Sequence, residues 1–136
     1  MIEVDSLHHV SISVTDIEKA KNFYSNILGF QEISRPDFHF GGAWYDLGGQ
    51  QLHLIVCPES ETLRSRAEIE PKAGHFAVRV KNFEKTADFL KQQEVPIKEK
   101  RESVSGFAQI FCVDPDNNLI EFNVNQKDLT EEPVRS

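Results

Sequence analysis

Along residues 7–16, LHHVSISVTD, the apolar side chains of Val10, Ile12 and Val14 alternate with His9, Ser11 and Ser13. A period of two predicts a strand with one apolar and one polar face. The alternation returns at 74–82, GHFAVRVKN, with Phe76, Val78 and Val80 on the apolar face and His75, Ala77 and Arg79 opposite. His9 and His75 thus occupy equivalent places, 66 positions apart (75 − 9). After each strand the period lengthens to that of a helix. Ile17, Ala20, Phe23, Tyr24, Ile27 and Leu28 share one helical face that stops at Gly29, and Thr15-x-x-Glu18 has the form of a capping box. In the second half Asn82 is the predicted N-cap, and Phe83, Thr86, Ala87, Phe89 and Leu90 repeat the first helix's places before Pro96. Three predicted strands follow in each half, at 30–34, 39–47 and 51–57, then at 97–102, 106–113 and 119–124. Gly48-Gly49-Gln50 marks a hairpin, and the 114–118 turn, DPDNN, needs an Asn in the left-handed conformation that glycine usually supplies.

The order β-α-β-β-β therefore occurs twice. Module 1 covers about 7–57, a polar connector 58–72, module 2 about 73–125, and a polar tail 126–136; residues 1–125 form a single α+β domain. Each helix would cover one face of its sheet. The two half-sheets, side by side, would make a partly open, curved mixed β-barrel with helices outside, its hollow lined by the residues opposite the helices.

Parity on each module's last strand then picks out candidate chemistry. In 51–56, Leu52, Leu54 and Val56 are the apolar face and His53 lies opposite; in 119–124, Ile120, Phe122 and Val124 are apolar and Glu121 lies opposite, with Asn123. Each module thus sends one residue from its first strand (His9, His75) and one from its last (His53, Glu121) toward the hollow. Three imidazoles and a carboxylate suit one divalent first-row ion such as Fe, Mn, Ni, Co or Zn. Four such ligands in an octahedron leave two adjacent positions for water or for a substrate with two oxygens, and the ion could polarise a carbonyl, stabilise an enediolate or activate dioxygen. His8 and His39 recur in neither module, and His8 has the wrong parity to join His9. Arg79, Trp44 and Asn123 are candidate substrate contacts; of Trp44 and Tyr45, parity leaves open which one floors the pocket. Cys57 shares the parity of His53 but reads as a small buried hydrophobe.

Composition narrows the partners. A net charge of −7 over 136 residues disfavours nucleic acid and anionic membranes, and no run approaches the length of a membrane span. The N-terminus lacks the pattern of a secretion signal, and the two cysteines, Cys57 and Cys112, are not arranged as a disulfide framework, so a cytoplasmic protein is expected. Open sheet edges predict a homodimer.

The stretches LHHVSISVTDIEKAKNFYSNILGF, GAWYDLGGQQLHLIV, GHFAVRV and FCVDPDNNLIEF together resemble the vicinal oxygen chelate superfamily, over roughly residues 7–125. That superfamily includes glyoxalase I, fosfomycin-resistance thiol transferases, bleomycin-resistance proteins, methylmalonyl-CoA epimerase and extradiol dioxygenases. The resemblance implies paired βαβββ modules and metal ligands at His9, His53, His75 and Glu121, and it is strongest to the small glyoxalase-like branch. It implies a metal-dependent lyase or isomerase acting on a small substrate that chelates through neighbouring oxygens, with Glu121 or His53 as base. Glyoxalase I has a glutamate where this chain has His53, so lactoylglutathione chemistry does not carry over directly. The alternatives are an extradiol-type dioxygenase using His9, His75 and Glu121, and a non-catalytic binder of an antibiotic or metabolite.

Overall fold

The computed structural model describes residues 1–129. Of the polar tail expected at 126–136, Gln126–Asp128 form a 3-10 turn, and 130–136 lie outside the described residues. The described residues form two compact units, one of 1–67 with 114–118, the other of 68–113 with 119–129. Each holds one four-stranded mixed sheet and one principal helix, an α+β arrangement in which the order β-α-β-β-β occurs twice.

In the first unit, β1 (His9–Val14) runs parallel to β4 (Gln50–Val56); β3 (Gly42–Leu47) and β2 (Gln31–Ile33) continue the sheet antiparallel, in the order β1-β4-β3-β2. Between β1 and β2 lies α1 (Ile17–Lys21), which widens into π-helical turns over Asn22–Ile27. Alternation along the strands puts Val14, Ala43, Tyr45, Leu52 and Leu54 into the core with Ala20, Phe23 and Tyr24 of the helix. The widened turns are recorded in the backbone bond from Leu28 N to Phe23 O (2.8 Å), five residues back. Gly29, at φ +76°, ends the helix as expected.

The expected capping box does not form. Asp16 is the N-cap, its Oδ1 accepting from Glu18 N (3.0 Å) and Lys19 N (3.2 Å). Thr15 instead gives its backbone N–H (2.9 Å) and hydroxyl (2.6 Å) to the Asp116 carboxylate. A carboxylate presented from a turn a hundred residues away outcompetes the local cap. Residues 39–41 are also outside β3, since Arg35 and two phenylalanines shape that segment instead.

The 114–118 turn is built as an Asx-type knot. Asp114 Oδ1 accepts from Asp116 N (2.9 Å) and Asn118 N (2.8 Å), while Tyr24 donates its hydroxyl to Asp114 Oδ2 (2.7 Å). Asn118 Nδ2 donates to Ser13 O (2.9 Å), and Asn117 takes the left-handed conformation, φ +66°. Burial pushes the Asp114 carboxyl above its ordinary range against the lowering pull of these donors.

In the second unit, β5 (Phe76–Arg79) runs parallel to β8 (Leu119–Asn125), followed antiparallel by β7 (Phe107–Val113) and β6 (Lys98–Lys100), in the order β5-β8-β7-β6. The helix α2 (Phe83–Gln92) is capped by Asn82, whose side chain accepts from Lys85 N at 2.8 Å. Its buried side chains Phe83, Ala87 and Leu90 belong to a core that includes Ala108, Ile110, Cys112, Ile120, Phe122 and Val124. In both sheets the helix takes one face, and the candidate ligands stand on the other.

Candidate metal centre

On the polar face of the first sheet, the β1–β4–β3 register sets Ser11 beside His53 and His53 beside Trp44. The His53 ring is sandwiched: Trp44 stacks at 4.1 Å between centroids and 6° between planes, and His9 at 4.1 Å and 16°. Trp44 is therefore the residue that floors this face. Tyr45 points into the core, where its hydroxyl meets Ser25 Oγ at 2.7 Å and burial raises its pKa. His53 is only 6% exposed, and desolvation pushes its imidazole below the ordinary histidine range; His9, His8 and Arg35 push it the same way. A ring held neutral keeps a lone pair for a metal or for a proton. His53 Nε2 donates to Gln51 Oε1 at 2.8 Å, which assigns that lone pair to Nδ1.

His8 contradicts the parity argument that set it aside: its Nδ1 lies 2.8 Å from His9 Nδ1, with the rings edge to face. Alternation governs only residues within a strand, and β1 begins at His9. Cys57 is also corrected. It is half-exposed, its thiol donating to Glu59 Oε1 at 3.4 Å, which raises its pKa, while Cys112 is the buried one.

On the corresponding face of the second sheet, the register sets Ala77 and Phe111 beside Glu121, and Arg79 and Gln109 beside Asn123. Glu121 is 4% exposed, and its carboxylate is held by amides. Gln109 Nε2 donates to Oε1 (3.1 Å) and Asn123 Nδ2 to Oε2 (2.7 Å). Arg79 Nε donates to Asn123 Oδ1 at 2.6 Å, which turns the Asn123 N–H groups toward Glu121. Arg79 and Asn123, expected as substrate contacts, are thus joined in a hydrogen-bonded chain that ends on Glu121.

His75, just before β5, brings Nε2 to 3.1 Å from Glu121 Oε1, while its Nδ1 lies 2.7 Å from Ala73 O. A carbonyl oxygen only accepts, so Nδ1 carries a proton. Nε2 then faces the carboxylate either as the second N–H of an imidazolium or as a lone pair that needs a cation between the two acceptors. A backbone carbonyl fixing the far nitrogen is the usual orientation of a histidine ligand. The donor set fits a borderline divalent ion.

The sequence-predicted ligands are thus brought together as two pairs, His9 with His53 and His75 with Glu121. Among the described residues no group of three or more His, Cys, Asp and Glu is gathered as a metal cage. His39 is exposed and joins neither pair. The residues that sequence reasoning passed over are His8, Gln51, Gln109 and Arg35. Gln51 and Gln109 share parity with the ligands, and that was the signal available for them.

Residues 6–122 match the model of the Glyoxalase/Bleomycin resistance protein/Dioxygenase superfamily. The chain belongs to this superfamily. Among curated relatives, Glyoxylase I 4 of Arabidopsis thaliana is 31% identical over 123 residues, 88% of this chain and 71% of that protein. The metallothiol transferase FosB of Staphylococcus saprophyticus is 30% identical over 121 residues, 88% of this chain and 77% of that protein. Among solved structures, a glyoxalase family protein from Enterococcus faecalis superposes with a TM-score of 0.67 at 27% identity, covering 88% of this chain and 97% of that one. As a superfamily member the chain has the expected α+β fold of repeated βαβββ units.

Proposed function

We propose that this superfamily member is a metal-dependent, glyoxalase-like enzyme, a lyase or isomerase acting on a small substrate that offers neighbouring oxygens. His9, His53, His75 and Glu121 would hold one divalent transition-metal ion, the two pairs serving the same ion within one chain or across two copies of it. The observation that carries this is the His75–Glu121 pair: a ring whose proton is committed to Ala73 O, with its other nitrogen set against a buried carboxylate. The likeness to a glyoxylase I and to a metallothiol transferase supports the same reading. When bound, the ion would supply Lewis-acid polarisation of a substrate oxygen.

The chain's own residues supply the rest. Gln109 and Asn123 aim the Glu121 oxygens, Arg79 aims Asn123, and Trp44 and His9 clamp the His53 plane. A neutral His53 or a Glu121 oxygen released from its amides is the candidate proton acceptor beside the substrate carbonyl. Neither Cys57 nor Cys112 is disulfide-bonded, which suits a reducing cytoplasm, and among the described residues no helix is long and apolar enough to cross a membrane.

Calorimetric titration of chelator-treated protein with Zn(II), Ni(II) or Mn(II) tests the reading. One ion per chain is expected, with binding abolished in His75→Ala and Glu121→Gln. Binding that survives both substitutions, or none in the wild type, contradicts it.

A further inference from the structure

The segment between β2 and β3 carries a feature that the metal ligands do not use. Arg35 lies over two phenylalanine rings, its guanidinium carbon 4.7 Å from the Phe38 centroid and 5.3 Å from that of Phe40. Those rings stack on each other at 5.1 Å and 17°, and Phe38 stands 6.2 Å from Trp44, which stacks on His53. An aromatic wall therefore runs unbroken from Phe40 through Phe38 and Trp44 to His53 and His9. Its outer end is open: Phe38 is 43% and Phe40 45% exposed.

Gly42 shows how the guanidinium reaches this face. A Cβ there would stand 2.9 Å from Arg35 Nη2, 3.0 Å from Nε and 2.4 Å from Leu54 O. The arginine lies flat on β3 where the strand has no side chain. Gly42 has the parity of Trp44, and Trp44 is the register partner of His53. Arg35 is thus one pleat along the same sheet face from the candidate ligand.

Its hydrogen-bonding capacity is mostly unspent. Nη2 donates to Phe40 O at 2.8 Å, which fixes the fork and leaves the other N–H groups. Among the described residues no carboxylate pairs with it, in a chain holding 22 acidic against 15 basic residues. A half-buried guanidinium stacked on rings, oriented by a carbonyl and lacking a counter-charge is arranged to accept an anion.

We infer that Arg35 is an anion-recognition residue, binding the carboxylate of a ligand whose flat apolar body lies along Phe38 and Trp44. One cation with one N–H already committed matches a monoanion, and a bidentate carboxylate uses the fork that remains. The inference rests on the proposed function only in taking that ligand as the substrate: an aromatic or similarly flat carboxylic acid, its far end directed toward His53.

Chelator-treated protein separates this from metal chemistry. Trp44 is the only tryptophan in the chain, so its fluorescence reports on the wall directly. The probes are phenylacetate, its neutral isostere phenylacetamide, and acetate. Phenylacetate is expected to change the emission saturably and to bind about tenfold or more tighter than either control, the scale of one charge-assisted pair. Arg35→Gln should bring phenylacetate down to the level of the amide. Equal binding of acid and amide by the wild type, an undiminished response in Arg35→Gln, or no saturable response would overturn the inference. Metal titration of the same wild-type sample keeps the two readings apart: metal binding without acid preference sinks this inference alone, and acid preference without metal binding sinks only the metal reading.

Discussion

Glu121 shows how much of the site depends on single atoms. Its two oxygens take N–H groups from Gln109 and Asn123, and Asn123 is in turn aimed by Arg79. Asn123→Ala removes a donor from a carboxylate that is 4% exposed, so metal affinity should fall by about 10- to 100-fold in calorimetry. Unchanged affinity would mean that Glu121 is not held by this amide. Asp114 supports a prediction about pH. Burial chiefly raises its carboxyl above the ordinary carboxylate range, so as pH rises the unfolded chain gives up this proton first. The stability Asp114 contributes is complete below the ordinary Asp pKa of about 3.9 and is lost as pH rises through the higher folded pKa. The gap in unfolding free energy between wild type and Asp114→Asn should therefore shrink from pH 3.5 to pH 7, about one proton's linkage; a constant gap contradicts the burial argument. Strand parity made His9, His53 and Glu121 legible from sequence, because alternation says which face a residue takes. It could not rank Trp44 against Tyr45, nor foresee His8 meeting His9, since those outcomes depend on where the strand begins and what covers each face.

The strands and helices followed the hydrophobic periods closely, and their ends did not. Thr15-x-x-Glu18 looked like a cap because local spacing is all a sequence displays, yet Asp16 caps α1 while Thr15 is drawn to Asp116. The π-helical turns of Asn22–Ile27 likewise have no periodic signature, being one bond's slip within an otherwise helical pattern. Gly42 is the element-scale test. Gly42→Ala places a Cβ against Leu54 O, a backbone atom that cannot rotate away, and should cost about 1–3 kcal/mol in denaturant unfolding. Asn117 is the complementary case. At φ +66° a glycine fits without strain, so Asn117→Gly should fold normally, whereas Asn117→Val should lose about 1–3 kcal/mol. Equal stability of the two variants would remove the left-handed turn from the account.

For the whole molecule, the repeat was the most legible feature, because two copies of one pattern, each with its histidine in place, are hard to mistake in a single sequence. The association state was not legible in the same way. We propose a homodimer, supported by the edge strands β1 and β2 of one sheet, β5 and β6 of the other, and by Ile2, Val4 and Leu7 exposed ahead of β1. Sedimentation at micromolar concentration should give twice the 15.5 kDa chain mass, and a strictly monomeric mass would reject it. Whether both pairs of ligands serve one ion is the question on which the proposed chemistry turns, and anomalous diffraction from a crystal grown with Zn(II) answers it most directly. A single peak within about 2.0–2.2 Å of His9, His53, His75 and Glu121 donor atoms is expected. Zinc held by one pair alone, or by other side chains while these four stand apart, would contradict it.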